Sequence, residues 1–246
     1  MEHAFKSMYE RLADFITKNR DFNKATVILE AGCGSGQLTI PLVKKLMKTK
    51  EACFKFIAFD ISAGPYKGNL EILKKRIRKE KLGKFVIPIK GDVRNMNTID
   101  DESVDLIVSN ELFCELDRKS LKMALKEFHR ILKPAGQMVH GELNPVPENE
   151  AQKLVIEANA HSLDTMQPKP EWFSPFVDEV AISMHKIGFK NITVKYFETN
   201  LKMDFDTAIK KLKQWKTDPS FIEKRLNDLR RYGLEYPIEH FIFCEK

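Results

Sequence analysis

A run of glycines at alternate positions points most directly to chemistry in this sequence. Gly32, Gly34 and Gly36 follow an apolar segment, residues 26–30, that ends in an acid. Glycine permits positive φ angles and lets a ligand approach the backbone without a Cβ in the way. Helical spacing begins at Leu38, so the turn should open a helix whose free N–H groups face the ligand. The pattern predicts a strand, a ligand-binding turn and a helix in succession.

The glycine turn matches neither of the common phosphate-binding patterns. A dinucleotide-binding turn would carry a further glycine where this chain has Gln37. A P-loop would end in Gly-Lys-Ser or Gly-Lys-Thr, which this segment lacks. Structural turns also produce glycines at this spacing, so the turn alone leaves the ligand open.

Polar residues close the predicted strands that neighbour the turn. Glu30 ends the first strand, Asp60 follows the second, Asp92 the third and Asn110 the fourth. In a doubly wound sheet the carboxyl ends of parallel strands share one edge, so these side chains should gather around the glycines. A carboxylate at the end of the second strand can accept hydrogen bonds from both hydroxyls of a ribose. Each residue alone is an ordinary strand end, whereas the set favours a binding site.

Strands and helices alternate through the first half of the chain, which predicts right-handed β-α-β units and a doubly wound, mostly parallel sheet. Pro88 argues that the third strand lies at an edge. The nearly all-apolar fourth strand is typical of a strand buried on both faces. The predicted strands are residues 26–30, 52–59, 85–89, 104–109 and 137–141, and the predicted helices are residues 5–18, 37–48, 68–81 and 120–132.

The second half of the chain is less regular. Two further strands bring the predicted sheet to seven, and a pair of helical stretches between them forms an insertion. Gly188 is expected to end the helix before it. The predicted helices are residues 148–162, 176–187, 204–216 and 219–232, the strands are residues 191–197 and 238–244, and a loop occupies residues 165–175.

Composition favours a soluble globular protein. With 246 residues, of which 43% are hydrophobic, the chain can bury a full core. The net charge of +6 and pI of about 9.0 suit nucleic acid, but no aromatic residues interleave the lysines, so solvated helix faces explain them. The four cysteines lack C-x-x-C spacing, which argues against disulfides and zinc. Without a signal peptide or a long apolar run, a cytoplasmic location is expected.

Taken as a set, these segments resemble the successive motifs of the class I S-adenosylmethionine-dependent methyltransferases. In that family an acid precedes a G-x-G-x-G turn, a second acid ends the second strand, Gly-Asp follows the third strand and Ser-Asn ends the fourth. The resemblance implies a Rossmann-like methyltransferase fold with S-adenosylmethionine as cofactor. It rests on residues 27–42, 56–60, 91–92, 103–116 and 128–136.

The resemblance implies how the methionine end of the cofactor would be held. Glu30 would bind the methionyl amino group, directly or through water. Gly32, Gly34 and Gly36 would pass close beneath it. Asn110 would contact the cofactor by its backbone, near the methyl donor.

For the nucleoside end, the resemblance implies that Asp60 binds the ribose hydroxyls and that Ile61 lies beside the adenine. Asp92 would accept a hydrogen bond from the adenine amino group, and the backbone N–H of Val93 would meet the ring. Residues 62–66 depart from the S-x-x-M/L stretch common in the family. That departure leaves the adenine contacts of this loop undefined.

The segment that follows the fourth strand should come nearest to the transferred methyl group. It lacks the N/D-P-P-Y/F pattern of methylases that act on amides and base amines, which argues against planar nitrogen acceptors. Glu111 is the candidate catalytic residue, since it could orient or deprotonate an acceptor amine or hydroxyl. The competing interpretation is a solvent-facing or helix-capping carboxylate. Positioning and desolvation can supply most of the catalysis of methyl transfer.

A few other polar residues have competing interpretations. Glu142 follows the fifth strand at the edge expected for a site, whereas His140, within that strand, is expected to be a core histidine. Tyr9 would line the pocket if the N-terminal helix folds over it. Glu115 and Asp117 are expected to be helix caps in the first turn.

These patterns predict a single methyltransferase domain. Residues 1–24 would hold an N-terminal helix, residues 25–144 the cofactor-binding core and residues 145–246 the acceptor-side half. A helical insertion at about residues 202–232 would form a lid. The aromatic residues expected to roof the cleft are Trp215, Phe205 and Phe221.

The expected function is transfer of a methyl group from S-adenosylmethionine to a small-molecule acceptor, with the attacking atom (O, N, S or C) undetermined. An RNA or protein methyltransferase is the alternative, favoured by the basic pI and disfavoured by the lack of an added RNA-binding domain. A further alternative is a non-catalytic S-adenosylmethionine-binding partner protein. The presence of all the cofactor acids argues against it. Neither a metal site nor membrane binding is expected.

Overall fold

The structure, a computed structural model, describes residues 2–20, 22, 26–49, 54–162 and 175–246. No helix in these ranges is long and apolar enough to cross a membrane. The strands are β1 Val27–Ala31, β2 Lys55–Asp60, β3 Val86–Lys90, β4 Val104–Asn110, β5 Leu132–Leu143, β6 Lys190–Phe197, β7 Lys202–Met203, β8 Leu234–Glu235 and β9 Glu239–Glu245. The helices are α1 Glu2–Asn19, α2 Thr39–Thr49, α3 Asn69–Lys79, α4 Arg118–Ile131, α5 Glu150–Ala160, α6 Val177–Ile187, α7 Phe205–Gln214, α8 Pro219–Lys224 and α9 Leu226–Tyr232.

Within these residues one seven-stranded sheet has the order β3-β2-β1-β4-β5-β9-β6, and β7 and β8 form a separate ribbon. Among the described strands of the sheet, β9 alone runs antiparallel to its neighbours. The predicted mostly parallel, doubly wound, seven-stranded sheet is confirmed, as is the edge position of β3. The strand order reverses between β1 and β4. In such sheets ligands bind beyond the carboxyl ends of the strands at this point.

Alternate residues of each strand face two different cores, one on each side of the sheet. Ile28 and Phe56 belong to a core that includes side chains of α1, α2, α3, α5, α7 and α9. Leu29 and Ile57 belong to a second core, formed mainly with α4 and α6. Because both faces of the sheet are covered, the position of each strand end at the ligand-binding edge is fixed by packing.

Two predicted segments differ from the structure. Residues 133–136 were expected to separate a helix from a strand at 137–141, but β5 runs from Leu132 to Leu143. The pairing of β4 with β5 shifts register after Val104, and this irregularity accommodates Pro134 within the strand. The predicted helix at 219–232 is broken at Arg225 into α8 and α9. The predicted loop at 165–175 lies, except for Pro175, outside the described residues.

Asp105 on β4 anchors the start of β1. Its Oδ2 accepts hydrogen bonds from the backbone N–H groups of Thr26 and Val27 at 2.9 and 2.8 Å. Its Oδ1 accepts one from Lys133 Nζ at 2.7 Å. Burial acts to raise the pKa of Asp105, but these donors outweigh it and hold that pKa below its ordinary value. The strand that carries the glycine turn is therefore fixed at its beginning by an ionised side chain of its neighbour.

We expect Asp105→Ala to lower the free energy of unfolding by about 2 kcal/mol, because the substitution leaves two N–H groups and an ammonium group without their acceptor. Chemical denaturation near neutral pH measures the change. Asp100→Ala, at an exposed position in the loop before β4, is the control and should change stability by less than about 0.5 kcal/mol. Equal losses in the two variants would contradict the anchoring role.

Candidate active site

A cleft of about 800 Å³ lies at the carboxyl edge of the sheet, where the strand order reverses. We call it the main cleft. Its volume is within the range typical of small-molecule sites. The turn after β1 and the ends of β2 and β4 form its floor, and Tyr9 of α1 lines it as well. The main cleft brings together most of the residues predicted to bind a cofactor: Glu30, Gly32, Gly34, Asp60, Ile61, Asp92, Val93 and Asn110.

The glycines of the turn have different reasons to be glycine. Gly32, Gly34 and Gly36 have φ angles of 75°, 53° and 86°. A Cβ on Gly36 would lie 2.5 Å from Leu73 Cδ1, and one on Gly32 would lie 2.9 Å from Leu112 Cδ1. A Cβ on Gly34 would meet nothing closer than 3.8 Å. Gly34 therefore keeps space open in the main cleft, whereas Gly36, which is not among the residues that line it, is required by packing against α3.

Asp60 fastens the glycine turn to the end of β2. Its Oδ2 accepts a hydrogen bond from the Gly34 N–H at 2.9 Å, and its Oδ1 accepts one from the Ser62 N–H at 2.7 Å. Burial raises the pKa of Asp60 above its ordinary value, and the two N–H donors oppose this effect. Each carboxylate oxygen keeps a second lone pair for a ligand.

Glu30 is almost completely buried at the end of β1. The hydroxyl of Thr39 donates a hydrogen bond to Glu30 Oε2 at 2.6 Å. Burial raises the pKa of Glu30 to about 8, with a further contribution from Asp60 and against the opposing effect of Thr39. A cationic group placed beside Glu30 would therefore be needed to keep it ionised near neutral pH.

Asp92 lies at the rim of the main cleft, just beyond β3. Arg94 forms a two-point ion pair with it, Nε to Oδ1 at 2.9 Å and Nη2 to Oδ2 at 2.6 Å. The bonds from Arg94 lower the pKa of Asp92 below its ordinary value. Asp92 is thus ionised and held in one orientation, with its neighbour Val93 buried beside it.

A second cavity, of about 320 Å³, adjoins the main cleft, and we call it the side cavity. Five residues line both spaces and mark the boundary between them: Tyr66, Glu111, Glu115, Gln214 and Trp215. The rest of the side cavity is formed mainly by the end of β5, by α5 and by Tyr236, which precedes β9.

Only one of the three aromatic residues expected to roof the cleft lines it. Trp215, at the end of α7, borders both the main cleft and the side cavity. Phe221 is buried in the core and Phe205 packs against that core, so these two expectations are wrong. The reason is that α7–α9 bury an apolar face against the body of the protein, and both phenylalanines contribute to that packing.

Glu111 stands at the boundary between the two spaces, in a left-handed backbone conformation with φ of 48°. Its N–H donates to Gly141 O at 2.9 Å. Its Oε1 is buried and has no hydrogen-bond partner in the part of the chain that the structure describes. Burial, followed by the charge of Glu142, raises the pKa of Glu111 to about 7, while Lys211 opposes the rise. The interpretation of Glu111 as a solvent-facing or helix-capping carboxylate is therefore wrong.

Three more carboxyl groups surround Glu111, and we call the four residues the carboxyl cluster: Glu111, Glu115, Glu142 and Glu239. Glu142 Oε2 accepts hydrogen bonds from the N–H groups of Phe113 and Cys114, both at 3.1 Å. Glu239 is fully buried, and neither of its oxygens has a hydrogen-bond partner among the described residues. Burial, together with Glu111 and Glu142, raises the pKa of Glu239 well above its ordinary value.

Glu115 does not cap a helix, contrary to prediction. It ends a 3₁₀ turn, Phe113–Glu115, and its carboxyl group is hydrogen-bonded to Tyr66. Burial raises the pKa of Glu115 despite that bond. The cap of α4 is Asp117 alone, which accepts from the Ser120 N–H at 2.6 Å.

His140 is a core residue, as predicted. It is 1% exposed, and its Nδ1 is 2.8 Å from Ser109 Oγ. Its ring stacks on Phe113 with a centroid distance of 3.5 Å. Burial lowers its pKa, so the imidazole is neutral near neutral pH.

Sequence reasoning missed Glu239 and Lys211. Glu239 opens the last strand, and because β9 is antiparallel its beginning lies beside the end of β5, where Glu239 pairs with Leu143. An acid at the start of an antiparallel strand would have indicated this position once the strand order was known. Lys211 is one of several lysines on α7, and only packing distinguishes it from the exposed ones.

Comparison with known proteins identifies the family. The sequence model of the methyltransferase-domain family matches residues 28–136. Malonyl-[acyl-carrier protein] O-methyltransferase of Priestia megaterium is 28% identical to this chain over 242 residues, which cover 90% of this chain and 81% of the relative. The matched domain and this relative support a class I S-adenosylmethionine-dependent methyltransferase. The protein is thus an S-adenosylmethionine-dependent methyltransferase, with S-adenosylmethionine as its cofactor.

Solved structures share the fold of this methyltransferase. The YcgJ protein of Bacillus subtilis has a TM-score of 0.69 and 14% identity, covering 100% of this chain and 99% of its own. A SAM-dependent methyltransferase from Archaeoglobus fulgidus has a TM-score of 0.60 and 18% identity, covering 98% of this chain and 94% of its own. At these identities the likeness concerns the fold alone.

The polar groups of the main cleft are compatible with S-adenosylmethionine. The cofactor presents an amino group, two ribose hydroxyls and an adenine. Asp60 offers free lone pairs at the end of β2, and Gly34 leaves the turn open. Asn110 Oδ1 is buried without a hydrogen-bond partner among the described residues. Such an atom costs free energy unless a ligand or water satisfies it.

We expect Asp60→Ala and Gly34→Val each to weaken S-adenosylmethionine binding to this methyltransferase by at least about tenfold. Asp60→Ala removes acceptors at the cleft, and Gly34→Val places a branched side chain in it. Titration calorimetry measures the affinity, and thermal unfolding shows that the variants are folded. Gly68→Val is the matched control, because Gly68 also has positive φ and open space around it but lies outside the cleft. Unchanged affinity in both cleft variants would refute the assignment.

Proposed function

We propose that this methyltransferase transfers the methyl group of S-adenosylmethionine to a small-molecule acceptor that occupies the side cavity. The main support for this proposal is the boundary that the main cleft shares with the side cavity. The main cleft holds the residues expected to bind the cofactor, and a separate cavity of about 320 Å³ meets it at Glu111. A cavity of this size fits a small molecule.

Within the main cleft we assign the cofactor contacts to the residues that the family motifs indicate. The carboxylate of Asp60 accepts from the ribose hydroxyls, and the buried Glu30 pairs with the methionyl amino group. The nucleoside end lies between Ile61 and the Asp92–Val93 segment. The remaining contacts belong to the backbone of the turn and of the β4 end, namely Gly32, Gly34 and Asn110, whereas Gly36 shapes the turn by packing against α3.

Glu111 is the proposed catalytic residue. It follows Asn110 directly and borders the side cavity, so it can reach both the donor side and the acceptor side of the site. A carboxyl group with a pKa of about 7 is suited to accept a proton near neutral pH. S-adenosylmethionine, when bound, supplies the electrophilic methyl group, and Glu111 orients the acceptor and removes its proton where the acceptor carries one.

The acceptor-side half, residues 145–246, contributes the walls and roof of the side cavity in this proposal. Ile156 and Asn159 come from α5, and Gln214 and Trp215 come from the end of α7. Deleting the insertion at 202–232 would not test the roof specifically. The deletion would also remove Leu212 and Leu229, which are buried in the core, and would destabilise the fold. A substitution that fills the side cavity is the better test.

We expect Ile156→Trp to reduce kcat/KM for the acceptor at least about tenfold, because the larger side chain occupies acceptor space, and to leave the affinity for S-adenosylmethionine within about twofold. Ile156 borders the side cavity and not the main cleft. Lys153→Trp, on the exposed face of the same helix, is the matched control and should retain full activity. Equal activity in the two variants would argue that the acceptor binds elsewhere.

Incubation of the enzyme with methyl-labelled S-adenosylmethionine and an extract of its own source cells tests the acceptor class directly. The label should appear in the small-molecule fraction and should be absent when Asp60→Ala replaces the wild type. Transfer that survives nuclease treatment and removal of protein supports a small molecule. Label recovered only in RNA or only in protein would establish the alternative methyltransferase class instead.

A further inference from the structure

Acids are the only ionisable side chains with a full charge among the described residues that line the side cavity. Glu111, Glu115 and Glu142 all border it. Among the described residues that line the side cavity there is no lysine, arginine or histidine. A negatively charged acceptor would find no cation among these lining residues, and it would be repelled by whichever of the carboxyl groups is ionised. The charge of the lining therefore favours an acceptor that is cationic.

The carboxyl cluster also contains polar atoms that the protein leaves unsatisfied. Glu239 is fully buried with both oxygens lacking a hydrogen-bond partner, and Glu111 Oε1 is buried without one, in both cases within the described part of the chain. Unsatisfied buried carboxyl oxygens cost free energy unless a donor reaches them. The arrangement is not that of a metal centre, since no group of His, Cys, Asp and Glu in the described residues is placed to hold a metal ion.

Aromatic side chains complete the cavity. Tyr66, Trp215 and Tyr236 line it together with the acids. Carboxylates combined with aromatic rings are the surroundings that alkylammonium ions prefer in proteins. Lys211, whose charge acts on Glu111, contacts two aromatic rings: its Nζ lies 3.9 Å from the ring centroid of Phe5 and 5.3 Å from that of Trp215. Lys211 therefore tempers the negative charge near Glu111 without lining the cavity.

We propose that the methyl acceptor is an amine, which enters the side cavity as an ammonium ion and is selected by the acids that line it, with Glu142 as the specificity-determining residue and Glu111 as the group that takes its proton. This inference rests on the proposed function, because it names the class of small molecule that the site accepts.

Methylation of an amine requires only a proton acceptor and the methyl donor. The ammonium ion gives one proton to the carboxylate of Glu111, which leaves a neutral amine with a free lone pair. That lone pair forms the new N–C bond to the methyl carbon as the S–C bond breaks, and the sulfur keeps the bonding electron pair. The products are a methylated ammonium ion and S-adenosylhomocysteine, and the proton leaves Glu111 to solvent to reset the enzyme.

An amine acceptor would distinguish this chain from its relative in Priestia megaterium. The name of that relative describes O-methylation of a malonyl-[acyl-carrier protein]. A malonyl group ends in a carboxylate, and methylation of that oxygen needs an anion at the acceptor position. Three acids without a basic residue in the described lining would repel such an acceptor. Shared ancestry at 28% identity is compatible with a different acceptor, because the cofactor motifs and the acceptor cavity are formed by different parts of the chain.

The first test separates the acceptor by charge. The small-molecule fraction of the source-cell extract is passed over a strong cation exchanger at about pH 3, where amines are protonated and most carboxylic acids are neutral. Acceptor activity with labelled S-adenosylmethionine should be retained, and the label in the product should resist mild base. Activity in the flow-through, or label released by base as methanol from a methyl ester, would overturn the amine inference while leaving the proposed function intact. Label only in RNA or protein would overturn the proposed function itself.

The second test asks whether Glu111 takes the proton. Several titratable groups face Glu111: Tyr9 of α1, Cys114 and Glu115 of the 3₁₀ turn, Glu142 of β5, Lys211 of α7, Tyr236 before β9 and Glu239 at its start. Because the pKa of Glu111 is about 7, the rate at sub-saturating acceptor should fall as pH drops below that value and the carboxylate becomes protonated.

Glu111→Gln should lower this rate about a hundredfold near neutral pH. The deficit should shrink towards about pH 10, where amines lose their proton in solution and need no base. Glu223→Gln, at an exposed position on α8, should behave as wild type throughout. A deficit in Glu111→Gln that is the same at every pH would show a merely structural role and would overturn the assignment of Glu111.

The selecting role of Glu142 has its own readout. Glu142→Gln should raise KM for the retained acceptor fraction at least about fivefold while the affinity for S-adenosylmethionine changes less than about twofold. Thermal unfolding distinguishes this result from loss of folding. A KM equal to that of the wild type in the folded variant would overturn selection by Glu142.

Discussion

The hydrogen bond from the Gly34 N–H to Asp60 joins the two parts of the chain that make the site. It ties the turn after β1 to the end of β2, and it uses only one lone pair of an oxygen whose other lone pair remains for a ligand. Gly34 can donate it because the backbone there has positive φ and no side chain. Asp105 supports the same arrangement from the opposite end of β1 by holding the N–H groups that begin the strand. The floor of the main cleft is thus defined by backbone geometry before any cofactor is considered.

Desolvated carboxyl groups determine the electrostatics of both the main cleft and the side cavity. Glu30 beneath the main cleft and Glu111 beside the side cavity both have raised pKa values because they are buried. Burial of acids without paired cations is costly for the folded protein. That cost is offset when positively charged ligands arrive, since an ammonium group favours the ionised carboxylate. In our proposal the same physical effect binds the cofactor at one end and selects the acceptor at the other.

The left-handed turn at Glu111 links these two regions. β4 ends at Asn110, and the N–H of the next residue, Glu111, donates a hydrogen bond to Gly141 O. Glu142 then accepts the N–H groups of Phe113 and Cys114, which fixes the segment in place. A residue that lines the side cavity thus also holds the backbone that presents Glu111. The fifth strand, which contributes nothing to the cofactor motifs, is therefore part of the proposed acceptor site.

Sequence patterns were sufficient to predict the alternation of strands and helices, the edge position of β3, the resemblance to methyltransferases and many of the residues that line the main cleft. These features depend on contacts close in sequence, on the period of apolar residues and on glycines that tolerate positive φ. Tertiary packing alone shows that Glu111 Oε1 is buried, that Glu115 pairs with Tyr66, that Phe205 and Phe221 face the core, and that Glu239 lies close to Glu111 and Glu142. The burial of an acid and the partners of its carboxyl group depend on segments far apart in the chain, here α1, β5, α7 and β9. No local sequence pattern predicts which of these segments come into contact. Their contacts form only when helices cover both faces of the sheet and the antiparallel β9 pairs with β5.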